Sequence, residues 1–207
     1  MLYLATSNSP SIDQAMRSGQ LGRVCTPNGG VRARHGAWCA DNGAFSDSWD
    51  SAKWWRWLQA NAGDAGSCLF AALPDVVGDW DATLELSLPW AGQVKALGYP
   101  VAIVLQDGAT VAAVPWEDID AVFVGGTTAW KLGEAAREIV SAAKRRGKWA
   151  HMGRVNSERR LRYASHIGCD SADGTFLSFG PDVNLGKLAA WLRAVCDQGD
   201  LFPVAKL

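Results

Sequence analysis

Six short apolar runs in this chain each end on a polar or glycine-rich tip. Trp38-Cys39-Ala40 ends at Asp41, and the run 68–73 ends at Pro74-Asp75. The run 101–105 ends at Gln106-Asp107-Gly108, and 121–124 ends at Gly125-Gly126. Residues 148–150 lead into His151-Met152-Gly153-Arg154, and Gly168-Cys169-Asp170 leads into Ser171-Ala172-Asp173-Gly174. Strands buried on both faces read as short continuous hydrophobic runs. In a barrel of such strands, functional side chains gather at the C-terminal strand ends.

Helical patterns alternate with these runs. Residues 2–5 read as a first strand, and Ser9-Pro10-Ser11 caps a helix to about Arg17. Residues 19–36, rich in Gly and Arg, read as a long loop. Helices are expected over 51–60, over 81–97 with a kink or break at Pro89, and over 131–146. A short helical turn at 115–118 and helices over 157–167 and 184–195 complete the series, and the tail from 198 is expected to pack loosely. Strands spaced by helices imply parallel βαβ units. The expected fold is a compact (β/α)8 TIM-type barrel with reduced helices, one domain over residues 1–207 and no zinc subdomain. A doubly wound open sheet is the structural alternative. No GxGxxG follows the first strand, which weakens a dinucleotide reading.

Composition narrows this little. The 207 residues are 48% hydrophobic and 20% charged, as in a globular domain, and a net charge of −1 gives no global case for nucleic-acid binding. Basic residues do cluster locally, around Arg32, Arg34 and His35 and again from Lys144 to Arg162. The five cysteines form neither CxxC nor CxC, so no metal site is expected and a reducing compartment fits. Met1-Leu2-Tyr3-Leu4-Ala5-Thr6 lacks the features of a signal peptide, and no run approaches a membrane span. The expected location is the cytoplasm, that of the host if the protein is phage-encoded. Eleven tryptophans are expected mainly in helix-to-barrel packing.

The tips carry carboxylates and few histidines. Asp41 and Asp173 end different strands, and a barrel brings such ends to one pocket. Two carboxylates in different environments divide roles, one acting as nucleophile and one exchanging protons. That pairing suits glycosidic bonds. Asp75 and Gln106 are suited to hydrogen-bonding a planar heterocycle. Gly125-Gly126 allows close backbone approach to a flat ligand. Taken singly, each Asp also reads as a turn former or helix cap, and Gly-Gly as a turn.

The ordered set resembles the tRNA-guanine transglycosylase superfamily. Ala40-Asp41-Asn42-Gly43-Ala44-Phe45 is similar to its Asp-Ser-Gly-Gly-Phe-Gln motif. Pro74-Asp75 falls at its Phe-Asp-Glu, Gln106-Asp107-Gly108 at its Gln-Gly-Gly, and Val124-Gly125-Gly126 at its Gly-Gly-Leu. His151-Met152-Gly153 resembles its Leu-Met-Gly, and 168–173 resembles its Gly-Val-Asp-Met-Phe-Asp. The resemblance implies Asp173 as nucleophile at C1′, with Asp170 as rival, and Asp41 as general acid/base. It implies that Asp75, Gln106, Gly125 and Gly126 read the base edge, that Asn42 donates a hydrogen bond in place of the family serine, and that Met152 packs on the base. No cofactor is implied. The Cys-rich zinc cluster that follows the nucleophile in the tRNA-acting enzymes is missing here, so the resemblance is to compact DpdA-type enzymes, including those of phages. These replace guanine in DNA by a 7-deazaguanine such as preQ0. The implied partners are DNA and the free 7-deazaguanine base, with a protein partner for target recognition. Arg32, Arg34, Arg154, Arg159 and Arg160 are the candidate phosphate contacts. Alternatives are a hydrolytic base glycosylase, a tRNA-guanine transglycosylase, a small-molecule barrel enzyme and a non-enzymatic nucleic-acid-binding barrel.

Overall fold

The computed structural model describes residues 1–29, 36–44 and 49–199. Eight parallel strands close into a barrel in chain order: β1 Leu2–Ala5, β2 Gly22–Cys25, β3 Trp38–Ala40, β4 Cys68–Ala72, β5 Val101–Leu105, β6 Ala121–Val124, β7 Trp149–Met152 and β8 Ser171–Gly174. The last strand pairs with the first, with Leu4 opposite Asp173. Around it lie α1 Pro10–Arg17, α2 Ser51–Ala60, α3 Trp80–Ala96, the single turn α4 Thr128–Lys131, α5 Glu134–Arg145, α6 Glu158–His166 and α7 Pro181–Gly199. The architecture is therefore the (β/α)8 barrel expected from the alternation of runs. No helix among the described residues is long and apolar enough to cross a membrane.

Strand alternation divides the side chains into two sets. Leu4, Val24, Cys39, Phe70, Ala72, Ala102, Val104, Ala121 and Phe123 form one buried cluster that fills the barrel, with Leu2 and Trp149 against it. The other parity, including Tyr3, Ala5, Ala71, Val122 and Met152, packs outward beneath the helices. Two residues beyond the last apolar inward position, most strands turn polar or lose the side chain: Thr26 after Val24, Asp41 after Cys39, Gln106 after Val104, Gly125 after Phe123 and Gly153 after His151. Chemistry is thus confined to the C-terminal rim.

Several elements differ from the sequence expectation. The 19–36 stretch contains β2, whose Arg23 is fully buried because its guanidinium bonds Asn8 and pairs with Asp13 of α1 at 2.6 Å. A buried charge needs such a partner. Helix α3 runs unbroken through Pro89, which sits on the exposed face, where the carbonyl that proline leaves without a helical N–H faces solvent rather than the core. The stretch 131–146 is two helices, α4 and α5, separated at Leu132-Gly133. Residues 115–118 do form the short turn expected there, closed by Asp118 N–H to the Pro115 carbonyl. The last strand begins at Ser171, one residue after the position expected to end it.

Candidate active site

The strand ends enclose a cavity of about 490 Å³ whose lining includes Asp41, Asn42, Asp75, Gln106, Gly125, Gly126, Arg154, Arg160 and Asp173. Such a volume lies in the range of small-molecule pockets. Val24, Val104 and Phe123 give its inner wall an apolar surface, and Val77 lines it from the β4–α3 loop.

Asp41 follows β3 directly. Its Oδ1 accepts from the Gly43 N–H at 2.8 Å, a local turn that fixes the carboxylate. Burial pushes its pKa up to about 7, the Asp173 charge adds to the rise, and the Gly43 bond works against it. Asp173 belongs to β8, and its side chain is 13% exposed. Its Oδ2 meets His151 Nε2 at 2.8 Å, and its Oδ1 accepts from the Arg154 N–H at 3.3 Å. The cavity therefore holds one carboxyl that keeps its proton near neutrality and, beside it, one that is oriented by hydrogen bonds.

A second group is built from β4, β5 and β6. Gln106 Nε2 donates to Asp75 Oδ2 at 2.6 Å, and Asn42 Nδ2 donates to Asp75 Oδ1 at 2.8 Å. Burial raises the pKa of Asp75 while these two bonds oppose the rise. Gln106 Oε1 accepts from the N–H groups of both Gly78 and Gly126 at 2.9 Å, so the amide orientation is set by its partners. A side chain on Gly125 would strike Gln106 Nε2 and Leu105 O, each 2.9 Å from the added carbon. Gly126 has a φ of +63°, and a carbon added there would lie 2.7 Å from Trp130. The two glycines are thus required by the packing around Gln106.

The rim beside β7 is basic. Arg154 has a φ of +60°, a conformation disfavoured for a side-chain-bearing residue, and its guanidinium bonds the Gly126 carbonyl. Arg160 Nη1 reaches the Arg154 carbonyl at 3.5 Å. Beneath them Lys131 is 2% exposed and donates to the Gly153 carbonyl at 2.8 Å. Burial, helped by the Arg154 charge, brings its pKa down to about 8.

Asp41, Asp75, Gln106, Gly125, Gly126 and Asp173 thus meet in one cavity with Arg154 and Arg160. Other expectations are corrected. Met152 faces outward under the helices, since alternation turns its neighbour His151 inward, so it does not pack on a ligand in the cavity. Asp170 lies at the opposite end of the barrel, where both its oxygens sit 2.6 Å from Lys144 Nζ, so it is no rival to Asp173. Asn42 spends its amide hydrogens on Leu73 O and Asp75, which makes it a brace rather than a donor to ligand. Arg159 is exposed and outside the cavity lining. Arg32 and Arg34 lie outside the described residues. Sequence reasoning missed His151. Its signal was available in the spacing: two residues after Trp149, it shares the inward parity.

Ser171, His151 and Asp173 form a hydrogen-bonded string of the composition used by serine hydrolases. Here the order is inverted. Ser171 is fully buried at the inner end, and the carboxylate faces the cavity, so the hydroxyl has no access to substrate.

No protein-family model and no curated protein matches the chain. Among solved structures it is similar to the Amycolatopsis orientalis BexX/CysO complex, with a TM-score of 0.61, 16% identity, and 99% of this chain and 93% of that chain covered. It is also similar to ligand-free tryptophan synthase from M. tuberculosis, with a TM-score of 0.54, 16% identity, and coverages of 91% and 87%. A second form of that enzyme, open and bound to BRD0059, gives 0.54, 17% identity, and coverages of 92% and 91%. At these identities the likeness is one of fold, a barrel shared with enzymes such as tryptophan synthase.

Proposed function

We propose that the cavity exchanges a nucleobase, replacing guanine in DNA by a 7-deazaguanine. The observation that carries this reading is the meeting of Asp41, whose pKa burial raises, and Asp173 in one cavity, next to a braced Asp75–Gln106 pair. An Asp173 oxygen attacks C1′ as the C1′–N9 bond breaks, and the departing base takes its proton from Asp41. The incoming base then gives its N9 proton to Asp41 and displaces the Asp173 carboxylate from C1′. This is covalent catalysis through two displacements. Asp75 accepts from ring and exocyclic N–H groups, and the remaining Gln106 amide hydrogen donates to a carbonyl. A base must leave its stack to reach this depth.

The test is nucleoside mass spectrometry of DNA from cells expressing the protein with a supply of preQ0. The expected result is a 7-deazaguanine nucleoside in DNA. Abasic sites without incorporation would assign water as the acceptor, and modified tRNA with unmodified DNA would assign the other nucleic acid. Neither product would overturn the reading.

Arg160, on the rim, is the best-placed phosphate contact. Arg160→Ala is expected to weaken DNA binding almost uniformly across sequences and to reduce the slope of log K against log salt by about 1. An unchanged slope removes Arg160 from the interface.

A further inference from the structure

The string behind Asp173 has a direction that the hydrogen-bond chemistry fixes. The indole Nε1–H of Trp149 is a donor only, and it lies 2.9 Å from Ser171 Oγ. Ser171 Oγ therefore accepts from Trp149 and points its own hydrogen elsewhere. His151 Nδ1 lies 2.8 Å away, within reach of that hydrogen, and with Nε2 facing the Asp173 carboxylate as a donor we assign Nδ1 as its acceptor. A ring nitrogen that accepts carries no proton, so the proton of the neutral imidazole sits on Nε2 and is donated to Asp173 Oδ2. The ring is held in place by Phe123, edge-on at 4.6 Å between centroids, and by Phe70 at 5.1 Å. His151 and Ser171 are both fully buried.

We infer that Trp149, Ser171 and His151 form a tautomer-fixing relay that orients the Asp173 carboxylate for attack. His151 is a positioning residue and does not touch substrate. Its Nε2–H occupies Oδ2, which leaves Oδ1, held only by the longer Arg154 contact, as the attacking oxygen. With the other tautomer, a bare nitrogen lone pair would face the carboxylate and turn it away from the cavity. This inference rests on the reading of Asp173 as nucleophile.

The relay can be read without any activity. The chain has three histidines, so in 15N-labelled protein the His151 ring can be assigned by comparison with His151→Gln. Long-range proton–nitrogen correlation at pH 8 is expected to show Nε2–H in the wild type. Ser171→Ala, which removes the hydroxyl donor, is expected to give a mixture of tautomers. It should lower kcat for base exchange on the order of 100-fold, the scale of a misplaced reacting group, with KM little changed. Ser171→Thr, which restores a hydroxyl, should recover most of the loss. An Nδ1–H tautomer or a charged imidazolium in the wild type overturns the relay whatever the reaction proves to be. A Ser171→Ala enzyme with unchanged kcat overturns its role in positioning. Correct tautomer with no exchange on DNA or tRNA would instead count against the reaction alone.

Discussion

Asp173→Asn is expected to reduce base exchange by at least about a thousandfold while leaving the barrel folded. The amide is the same size as the carboxylate, and its oxygen still accepts from His151 Nε2 across the 2.8 Å contact, so the packing is kept. The loss falls on the chemistry, because an amide does not form the ester with C1′ that the double displacement requires. Incubating wild-type protein with an oligonucleotide and denaturing it before the second base is added should trap a covalent adduct, visible as a mass shift. The variant should show none. Undiminished exchange by Asp173→Asn would remove the residue from the reaction. Asp173→Ala should be equally inactive but less stable, by about 1–3 kcal/mol, because it leaves a buried imidazole N–H without its partner.

Asp41→Asn is expected to trade stability against activity. In the folded protein Asp41 keeps its proton up to about pH 7, against 3.8 for the ordinary side chain. Between these values the folded state holds a proton that the unfolded state has released, so the Asp41 contribution to stability falls as pH rises through this window. Above about pH 7 the full cost of a buried charge beside Asp173 is present. Asparagine carries no such cost. The variant should therefore be more stable than wild type at pH 8 by a few kcal/mol, an advantage that shrinks towards zero near pH 4. Denaturant titrations at pH 5 and pH 8 read this directly, and an equal difference at both values would contradict it. Exchange should fall on the order of 10²- to 10⁴-fold, the usual worth of a positioned acid/base. In the wild type, the decline of single-turnover base release through about pH 7 should follow loss of the Asp41 proton, and the residual rate of the variant should lack that limb.

Much of the barrel was legible because its strands are apolar on both faces. The runs before Asp41, Gln106 and Gly125 end within a residue of the observed strands. The failures share a cause: the local pattern gave way to a distant partner. Strand β2 was hidden by Arg23, a charge that is tolerated inside only because Asp13 and Asn8 come back from the preceding loop and helix. Strand β8, Ser171–Gly174, has no branched apolar residue, and its hydroxyl and carboxylate are satisfied by side chains of β7. At β7 the resemblance of His151-Met152-Gly153 to Leu-Met-Gly pointed to Met152, yet near the rim the inward positions are the polar ones. Parity, read from Trp149, favoured His151. The Asp75–Gln106–Asn42 contacts join residues 31 to 33 apart, and no local pattern reports a bond of that span.

The filled barrel interior has a kinetic corollary. Leu4, Phe70, Phe123 and their neighbours close the space below the carboxylates, so the cavity opens towards the rim. In the proposed exchange, a departing base and its replacement would share that opening. The first guest must be gone before the second can sit, and for that interval the sugar is held by the enzyme alone. An exchange in this cavity is therefore compelled to be a ping-pong process, in which free guanine competes with the incoming base for the same vacated seat.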